Sequence, residues 1–267
     1  MTKFKFGRIA LRRKLESAGV FVVAVTAAGT IAANGPLMAP REAPPMTQIL
    51  ATQVAPEAAV ARALDGKAEG VEWDIANIDH ALVDKWVARF TGNMKSSLTT
   101  YIARMDKYDD MIAEKAEAKG LPKDLVYLAM IESGGLPTAK SPVSARGLWQ
   151  FMSPTARQYG LTVRGRNDER IDPEKSTDAA LDYLGDLHQR FGSWYLAAAA
   201  YNTGQGRVAR ILKQETGRTK GTDADFYRIA HRLPKETRDY VPKLIAAARI
   251  AKEPARYGFD VASAETR

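Results

Sequence analysis

Apolar residues recur at helical spacing along residues 80–253, and this pattern predicts a mainly α fold. His80–Phe90 carries most of its apolar residues on one face, which predicts a helix. Ser97–Ala118 repeats the pattern over a longer stretch and predicts a single long amphipathic helix. Gly120 is expected to end that helix, and Pro122 lies where the next one should begin.

The second half of the chain continues in the same way. Asp172 followed by Pro173 has the form of a helix N-cap and first helical residue. Pro242 is expected in the first turn of the last helix. No stretch predicts a strand of more than a few residues, so little or no sheet is expected. Helices are predicted for Pro154–Tyr159, Ser176–Phe191, Trp194–Tyr201, Arg207–Gln214 and Val241–Glu253.

The most apolar helical run ends in a single carboxylate. Leu125–Glu132 is apolar nearly all round, which is typical of a buried helix, and one of Gly134 and Gly135 is expected to end it in the left-handed conformation. Desolvation and the partial negative charge of the helix end both raise the pKa of Glu132. A general acid needs a pKa near the working pH. On this segment alone, a Glu that turns to solvent stays an open alternative.

The N-terminal region differs from the rest in composition. Residues 1–34 combine a basic start with the uncharged stretch Ala18–Ala33, which predicts a signal peptide or an N-terminal membrane anchor. A cleaved signal is favoured because the apolar stretch is short for a membrane span. Residues 35–79 are interpreted as a linker rich in Pro and Ala, with a short helix at Ala59–Leu64. Residues 254–267 are interpreted as a tail.

The cysteine count and the charge distribution argue against several kinds of anchor, crosslink and partner. The chain has no cysteine, which excludes a lipoprotein anchor and disulfides. The formal net charge is +8, but residues 1–33 alone hold six cations and one acid. A nucleic-acid binder needs a basic patch on its folded domain, so the charge distribution argues against nucleic acid as a partner.

Several kinds of chemistry have no support in the motifs. The three histidines, His80, His188 and His231, are isolated, and no HExxH or Cys/His ligand set occurs, so no metal is expected. No GxSxG turn, Walker loop or dinucleotide-binding fingerprint is present, and no cofactor is expected.

Polar and aromatic residues in three later segments suit the recognition of sugars. Gln150, Tyr201 and Asn202 offer amide and hydroxyl groups for sugar hydroxyls, and aromatic faces pack on pyranose rings. Other residues of these segments have a purely structural interpretation as an alternative. Trp149 is a candidate for the core, and Glu236 for an acid favoured at a helix start.

Taken together, four spaced segments resemble the soluble lytic transglycosylase catalytic domain, and within it the membrane-bound lytic murein transglycosylase D group. The first is Glu132-Ser133, and the second is Ser-Pro-Val-x-Ala-x-Gly-Leu-x-Gln-x-Met over residues 141–152. The third is Ala-Tyr-Asn-x-Gly-x-Gly-Arg-Val over 200–208, and the fourth is Leu-Pro-x-Glu-Thr-x-x-Tyr-Val-Pro over 233–242. The resemblance covers residues 80–253.

The resemblance implies a lysozyme-like, two-lobed catalytic domain with a glycan groove. It implies cleavage of the β-1,4 bond between N-acetylmuramic acid and N-acetylglucosamine of peptidoglycan, with formation of 1,6-anhydromuramic acid ends. It further implies that Glu132 is the sole acid/base of the reaction. By position, the substrate-binding residues would be Ser133, Ser141, Gln150, Met152, Tyr201, Asn202 and Glu236, of which Ser133 and Asn202 support the site.

The resemblance also implies a partner and a cellular location for the protein. It implies peptidoglycan glycan strands as the partner and export to the periplasm or cell envelope, with a membrane tether through the N-terminus as one option. The oligomeric state stays open. Two rival functions also stay open, a goose-type-lysozyme-like hydrolase and a non-catalytic wall-binding or scaffold protein.

Two further features concern residues 135–137 and the loop after the second segment. Gly135-Leu136-Pro137 stands where the family often has an aromatic residue and then Asn-Pro. Three acids in the loop after the second segment, Asp168, Glu169 and Asp172, are expected to be surface or cap residues rather than a second catalytic acid.

Overall fold

The computed structural model describes residues 71–259. The predicted signal or anchor, the helix at Ala59–Leu64, most of the predicted linker and most of the predicted tail lie outside the described residues. Among the helices of residues 71–259, none combines the length and the apolar character needed to cross a membrane.

Ten α-helices and one short hairpin form residues 71–259, which confirms the prediction of a mainly α fold with little sheet. Short 3₁₀ turns lie at Lys123–Leu125, Glu169–Ile171, Ala230–Arg232 and Pro254–Tyr257. Strand β1 (Val163–Arg164) pairs antiparallel with β2 (Asn167–Asp168). The helices are α1 (Ala81–Thr91), α2 (Lys95–Met105), α3 (Asp109–Ala118), α4 (Val126–Ser133), α5 (Ser153–Gln158), α6 (Pro173–Phe191), α7 (Trp194–Thr203), α8 (Gln205–Thr216), α9 (Asp223–Ile229) and α10 (Lys235–Lys252).

Helix α7 lies at the centre of the core. Its residues 195–200 are each at most 3% exposed, and four of these six residues are alanines. Small side chains allow neighbouring helices to approach closely, and α7 packs against α6, α8, α9 and α10. Asn202 at the polar end of this helix, beside Tyr201, is therefore held on a rigid, buried support.

The single helix predicted for Ser97–Ala118 is wrong, because the chain breaks it into α2 and α3. The N–H of Tyr108 bonds to the carbonyl of Met105 in a turn between the two helices. Asp109 and Asp110 then lie in the first turn of α3, where the helix dipole favours acids.

Two differences concern the last third of the chain. Helix α9 was not predicted, although Thr222 and Asp225 form a capping box at its start. Helix α10 begins at Lys235, six residues before the predicted start at Val241. Pro242 therefore lies inside the helix, where its ring is buried and its missing N–H costs one helical hydrogen bond.

Residues 72–79, assigned to the linker from the sequence, pack against the helical body. Asp124 accepts hydrogen bonds from the N–H groups of Asp74 and Ile75 at 3.0 and 3.1 Å. Tyr195 donates to the carbonyl of Ala76, and Arg249 of α10 donates to the side chain of Asn77 at 2.6 Å. The packed body thus begins before α1.

Candidate active site

Glu132 lies in the last turn of α4, and its helix ends immediately after it. Gly134 follows with φ of 61°, in the left-handed conformation that was expected of one glycine, and Gly135 has φ of 74° as well. The other residues of α4 are buried apart from Tyr127, so the helix that carries Glu132 is packed in the core. The Glu132 side chain itself keeps partial contact with solvent.

The two glycines allow helix α2 to cross close to the end of α4. A Cβ at Gly134 would lie 2.5 Å from the ring of Tyr101, and one at Gly135 would lie 2.6 Å from the Cβ of Arg104. Both distances are far below ordinary van der Waals contact. The Gly135-Leu136-Pro137 sequence is therefore matched to this crossing, which leaves no room for a side chain at position 135.

Glu132 has a shifted pKa. Burial raises the pKa of this carboxyl to about 7, whereas the hydrogen bond from Tyr240 and the charge of Lys243 lower it. The nearby charge of Glu236 raises the pKa further. The Tyr240 hydroxyl donates to Oε1 of Glu132 at 2.6 Å. The direction of the shift is the one expected from the apolar sequence around Glu132.

The end of α7 and the start of α10 meet beside this carboxyl. Asn202 accepts a hydrogen bond from the Thr237 hydroxyl at 2.8 Å, and its Nδ2 lies 3.5 Å from Oε1 of Glu236. The Tyr201 pKa is raised by burial and then by the charge of Glu132. The fold thus brings Tyr201, Asn202 and Glu236 to the same place as Glu132.

The loop of residues 139–152 is held largely by its own hydrogen bonds. The Ser141 hydroxyl accepts from the N–H of Ala145 at 2.8 Å. Gln150 has φ of 49°, and its amide donates to the carbonyls of Ala139 and Gly147 at 3.2 and 2.9 Å. Ser141 and Gln150 therefore shape the loop itself.

Tyr201, Met152 and Ser133 are the remaining predicted site residues beside this loop and Glu132. The Tyr201 hydroxyl donates to the carbonyl of Trp149 at 2.7 Å, which joins the loop to α7. Met152 is 43% exposed at the end of the loop, an unusual position for a large apolar side chain. Ser133 is buried, and its hydroxyl donates back to the carbonyl of Ala129.

A buried ion-pair network holds the loop of residues 139–152 in place. Arg170, 4% exposed, donates to both carboxylate oxygens of Asp168 at 2.8 Å. The same guanidinium donates to the carbonyls of Ser144 and Phe151 at 2.9 and 3.0 Å. Arg146 adds a second cation to Asp168 at 2.9 Å. Asp168 is therefore buried and not a surface residue, but its side chain does act as a cap, because it accepts from the N–H of Arg170 at the start of the 3₁₀ turn Glu169–Ile171.

The three loop acids are bonded to groups other than Glu132. Asp172 caps α6 as predicted, accepting from the N–H groups of Glu174 and Lys175. Glu169 accepts from the N–H of Thr162 and pairs with Lys175 at 2.6 Å. Within residues 71–259, no group of three or more His, Asp or Glu side chains is arranged to hold a metal ion.

We expect Asp168→Asn to lower the free energy of unfolding by about 3 kcal/mol at pH 7, because it leaves the buried Arg170 without an anionic partner. The arginines hold the pKa of Asp168 at about 2, below its ordinary 3.8. The stabilisation is therefore present above about pH 4 and is lost as the pH falls towards 2. Urea denaturation at several pH values measures both effects.

The matched control for this substitution is Asp178→Asn. Asp178 pairs with Lys115 at 2.8 Å, but its side chain is 49% exposed. Removing an exposed pair should cost less than about 1 kcal/mol. Equal losses in the two variants would contradict a stabilising role for the buried network.

Two residues of the site were not identified from the sequence. Tyr240 lay in the fourth segment without an assigned role, and Lys243 was not singled out. On α10, Glu236, Tyr240 and Lys243 have the spacing i, i+4, i+7 of one helix face. The predicted helix began at Val241 and therefore left out Glu236 and Tyr240. A prediction that began the helix at Lys235 would have placed all three residues on one face.

Part of the chain is similar to a known protein family. Residues 110–223 match the family described as "Transglycosylase SLT domain". The membrane-bound lytic murein transglycosylase D of Escherichia coli strain K12 is 39% identical over 165 residues, which are 61% of this chain and 36% of that protein. The soluble lytic murein transglycosylase of the same strain is 32% identical over 146 residues, 52% of this chain and 22% of that protein.

A solved structure of the 70 kDa soluble lytic transglycosylase from Escherichia coli aligns with 55% of this chain and 24% of its own, at 29% identity and a TM-score of 0.47. The matched part of the chain spans about a third of the length of the membrane-bound lytic murein transglycosylase D named above. The family match includes Glu132, the 139–152 loop and Tyr201, while α10 with Tyr240 and Lys243 follows it in sequence. Over residues 110–223, the chain is thus similar to the transglycosylase SLT domain.

Proposed function

We propose that the protein is a lytic transglycosylase that cleaves the β-1,4 bond between N-acetylmuramic acid and N-acetylglucosamine in peptidoglycan. The observation that carries this proposal is the Glu132 carboxyl, which has a pKa of about 7 and a fixed hydrogen bond from Tyr240. The names of the relatives, which are murein transglycosylases, support the same substrate.

In the proposed reaction, Glu132 acts first as an acid and then as a base. The protonated carboxyl gives its proton to the glycosidic oxygen as the bond from that oxygen to C1 of muramic acid breaks. The resulting carboxylate then takes the proton of the C6 hydroxyl, whose oxygen forms a new bond to C1. The product is a 1,6-anhydromuramic acid end, and no water is consumed. A pKa near neutrality suits both steps.

The hydrogen bond from Tyr240 selects one oxygen of the carboxyl. It fixes Oε1, while Oε2 has no hydrogen-bond partner within residues 71–259. We propose that Oε2 is the atom that exchanges the proton with the substrate. We further propose that Ser141, Gln150, Met152, Tyr201, Asn202 and Glu236 line the groove, with Ser133 in support.

The hydrolase alternative depends on a second carboxylate that activates water. The candidate for that second carboxylate is Glu236, whose charge acts on Glu132. Its Oε1 lies 3.5 Å from the amide nitrogen of Asn202, so this oxygen faces a protein donor. The proposed location is the periplasm or cell envelope, with residues 1–34 as export signal or inner-membrane tether and residues 80–253 as the catalytic domain.

The mass of the products tests the proposal. Purified peptidoglycan is digested with the full chain, and the soluble fragments are measured by mass spectrometry. We expect fragments lighter by one water than the corresponding hydrolysis products. Full-mass reducing ends would identify a hydrolase, and binding to the wall without soluble fragments would identify a non-catalytic wall protein.

A further inference from the structure

Lys243 reaches from α10 to the end of α4. Its ammonium donates to the carbonyl of Ile131 at 3.1 Å, and Ile131 is the residue immediately before Glu132. The same ammonium lies 5.9 Å from the centre of the Trp86 ring on α1. Three helices therefore meet at this side chain, directly beside the candidate acid.

The bonded carbonyl is one of those that a helix end leaves without a partner. The last four carbonyls of an α-helix receive no hydrogen bond from the following turn. Helix α4 ends at Ser133, and the N–H of Gly134 returns to Met130. The next carbonyl, that of Ile131, is the one that Lys243 takes. A cation is also favourable at this negative end of the helix dipole.

Four ionisable groups face Glu132 from two helices. Tyr240, Lys243 and Glu236 belong to α10, and Tyr201 belongs to α7. Lys243 is the one cation among these four groups. Burial lowers the Lys243 pKa, while the charges of Glu132 and Glu236 oppose that shift. The ammonium is thus coupled to both carboxyls while it is tied to the backbone beside one of them.

We propose that Lys243 is a positioning residue for the acid/base step. Its hydrogen bond fixes the end of α4. Its charge offsets that of Glu236, so that the Glu132 carboxyl can exist in both protonated and ionised forms near neutral pH. The first effect orients Glu132, and the second lets it change roles between the two steps. This inference rests on the proposed function, because that function makes Glu132 the acid/base.

Three substitutions separate the two effects. Lys243→Met removes both the charge and the donor at nearly the same length. Lys243→Gln removes the charge and keeps a donor, and Lys243→Arg keeps both. A role limited to capping α4 predicts that Met alone alters the site, whereas a role of the charge predicts a common effect of Met and Gln.

The ionisation of Glu132 is measured directly in the full chain by carbon NMR of ¹³C-labelled glutamate carboxyls, with Glu132→Gln used to assign the resonance. We expect Lys243→Met and Lys243→Gln to raise the titration midpoint of Glu132 by about one pH unit, since each removes a nearby opposite charge. Lys243→Arg should leave the midpoint close to that of the wild type. Glu236→Gln should move it in the opposite direction, because it removes a like charge.

An unchanged midpoint in both neutral variants overturns the proposal, and a change in Lys243→Met alone reduces Lys243 to a helix cap. If Lys243→Met does not fold, Lys243→Gln still decides whether the charge acts, because it removes the charge and keeps a donor. The titration requires no turnover, so it can fail or succeed independently of the product analysis. In an active enzyme, the alkaline limb of the pH–rate profile should move upward together with the NMR midpoint.

Discussion

Glu132→Gln should reduce the release of soluble fragments from peptidoglycan by about 10³-fold or more, since in the proposed reaction this one group supplies both proton transfers. Glutamine has nearly the same shape and can still accept from the Tyr240 hydroxyl. The loss would therefore come from the missing proton and not from a displaced side chain. Fragment release is measured at equal enzyme concentration near pH 7.

The same substitution should stabilise the fold at alkaline pH. The pKa of Glu132 is about 7 in the fold, against an ordinary value of 4.5, so the fold disfavours the ionised form. That penalty is absent below about pH 4.5, grows as the pH rises towards 7 and is complete above it. Glu132→Gln removes the penalty, which should raise the free energy of unfolding at pH 8 by up to about 3 kcal/mol.

Glu174→Gln is the control for both measurements. Glu174 is an exposed acid in the first turn of α6, and none of its side-chain contacts involves the site. It should keep full activity and show no comparable gain in stability at pH 8. Substantial fragment release by Glu132→Gln would contradict the assignment of Glu132 as the acid/base.

Gly147→Ala should have the largest effect on stability. A Cβ at this position would lie 1.7 Å from the carbonyl oxygen of Arg170, a distance that no side-chain movement can relieve because the obstacle is backbone. The residue also has φ of 87°, in the region that favours glycine. We expect a loss of at least about 4 kcal/mol, or no folded protein, in urea denaturation.

Gly165→Ala separates the steric clash from the cost of the backbone conformation. Gly165 has φ of 53°, but a Cβ there would meet no atom within 4 Å. Its substitution should cost only about 1 kcal/mol, the usual penalty of the left-handed region. Similar losses in the two variants would mean that the 139–152 loop does not depend on the close approach of Arg170.

Local patterns were sufficient to predict much of the fold and the position of the acid. Apolar spacing identified α1, α4 and α6, because each buries one face or its whole circumference. Asp172 before Pro173 identified the start of α6, since a cap acts within four residues of itself. The raised pKa of Glu132 was predictable because burial and the helix end act through neighbouring residues.

Features that depend on distant residues were not predictable. The Tyr240 hydroxyl bonds a carboxyl 108 positions away, and Lys243 bonds a carbonyl 112 positions away. Asp168 looked like a loop acid, and only the packed structure shows that Arg170 and the 139–152 loop bury it. The break between α2 and α3 was likewise not predictable, since the helical spacing of apolar residues continues through it.

The attachment of residues 72–79 has a mechanical consequence. Tyr195, Asp124 and Arg249 hold this segment to the body, and Arg249 lies nine residues after Tyr240 on α10. At the rise of an α-helix, this separation is about 14 Å along the axis. A force applied through the upstream chain would therefore enter the helical body at this anchorage and be shared by three elements. The Glu132 carboxyl, at the other end of α10, would be shielded from that pull.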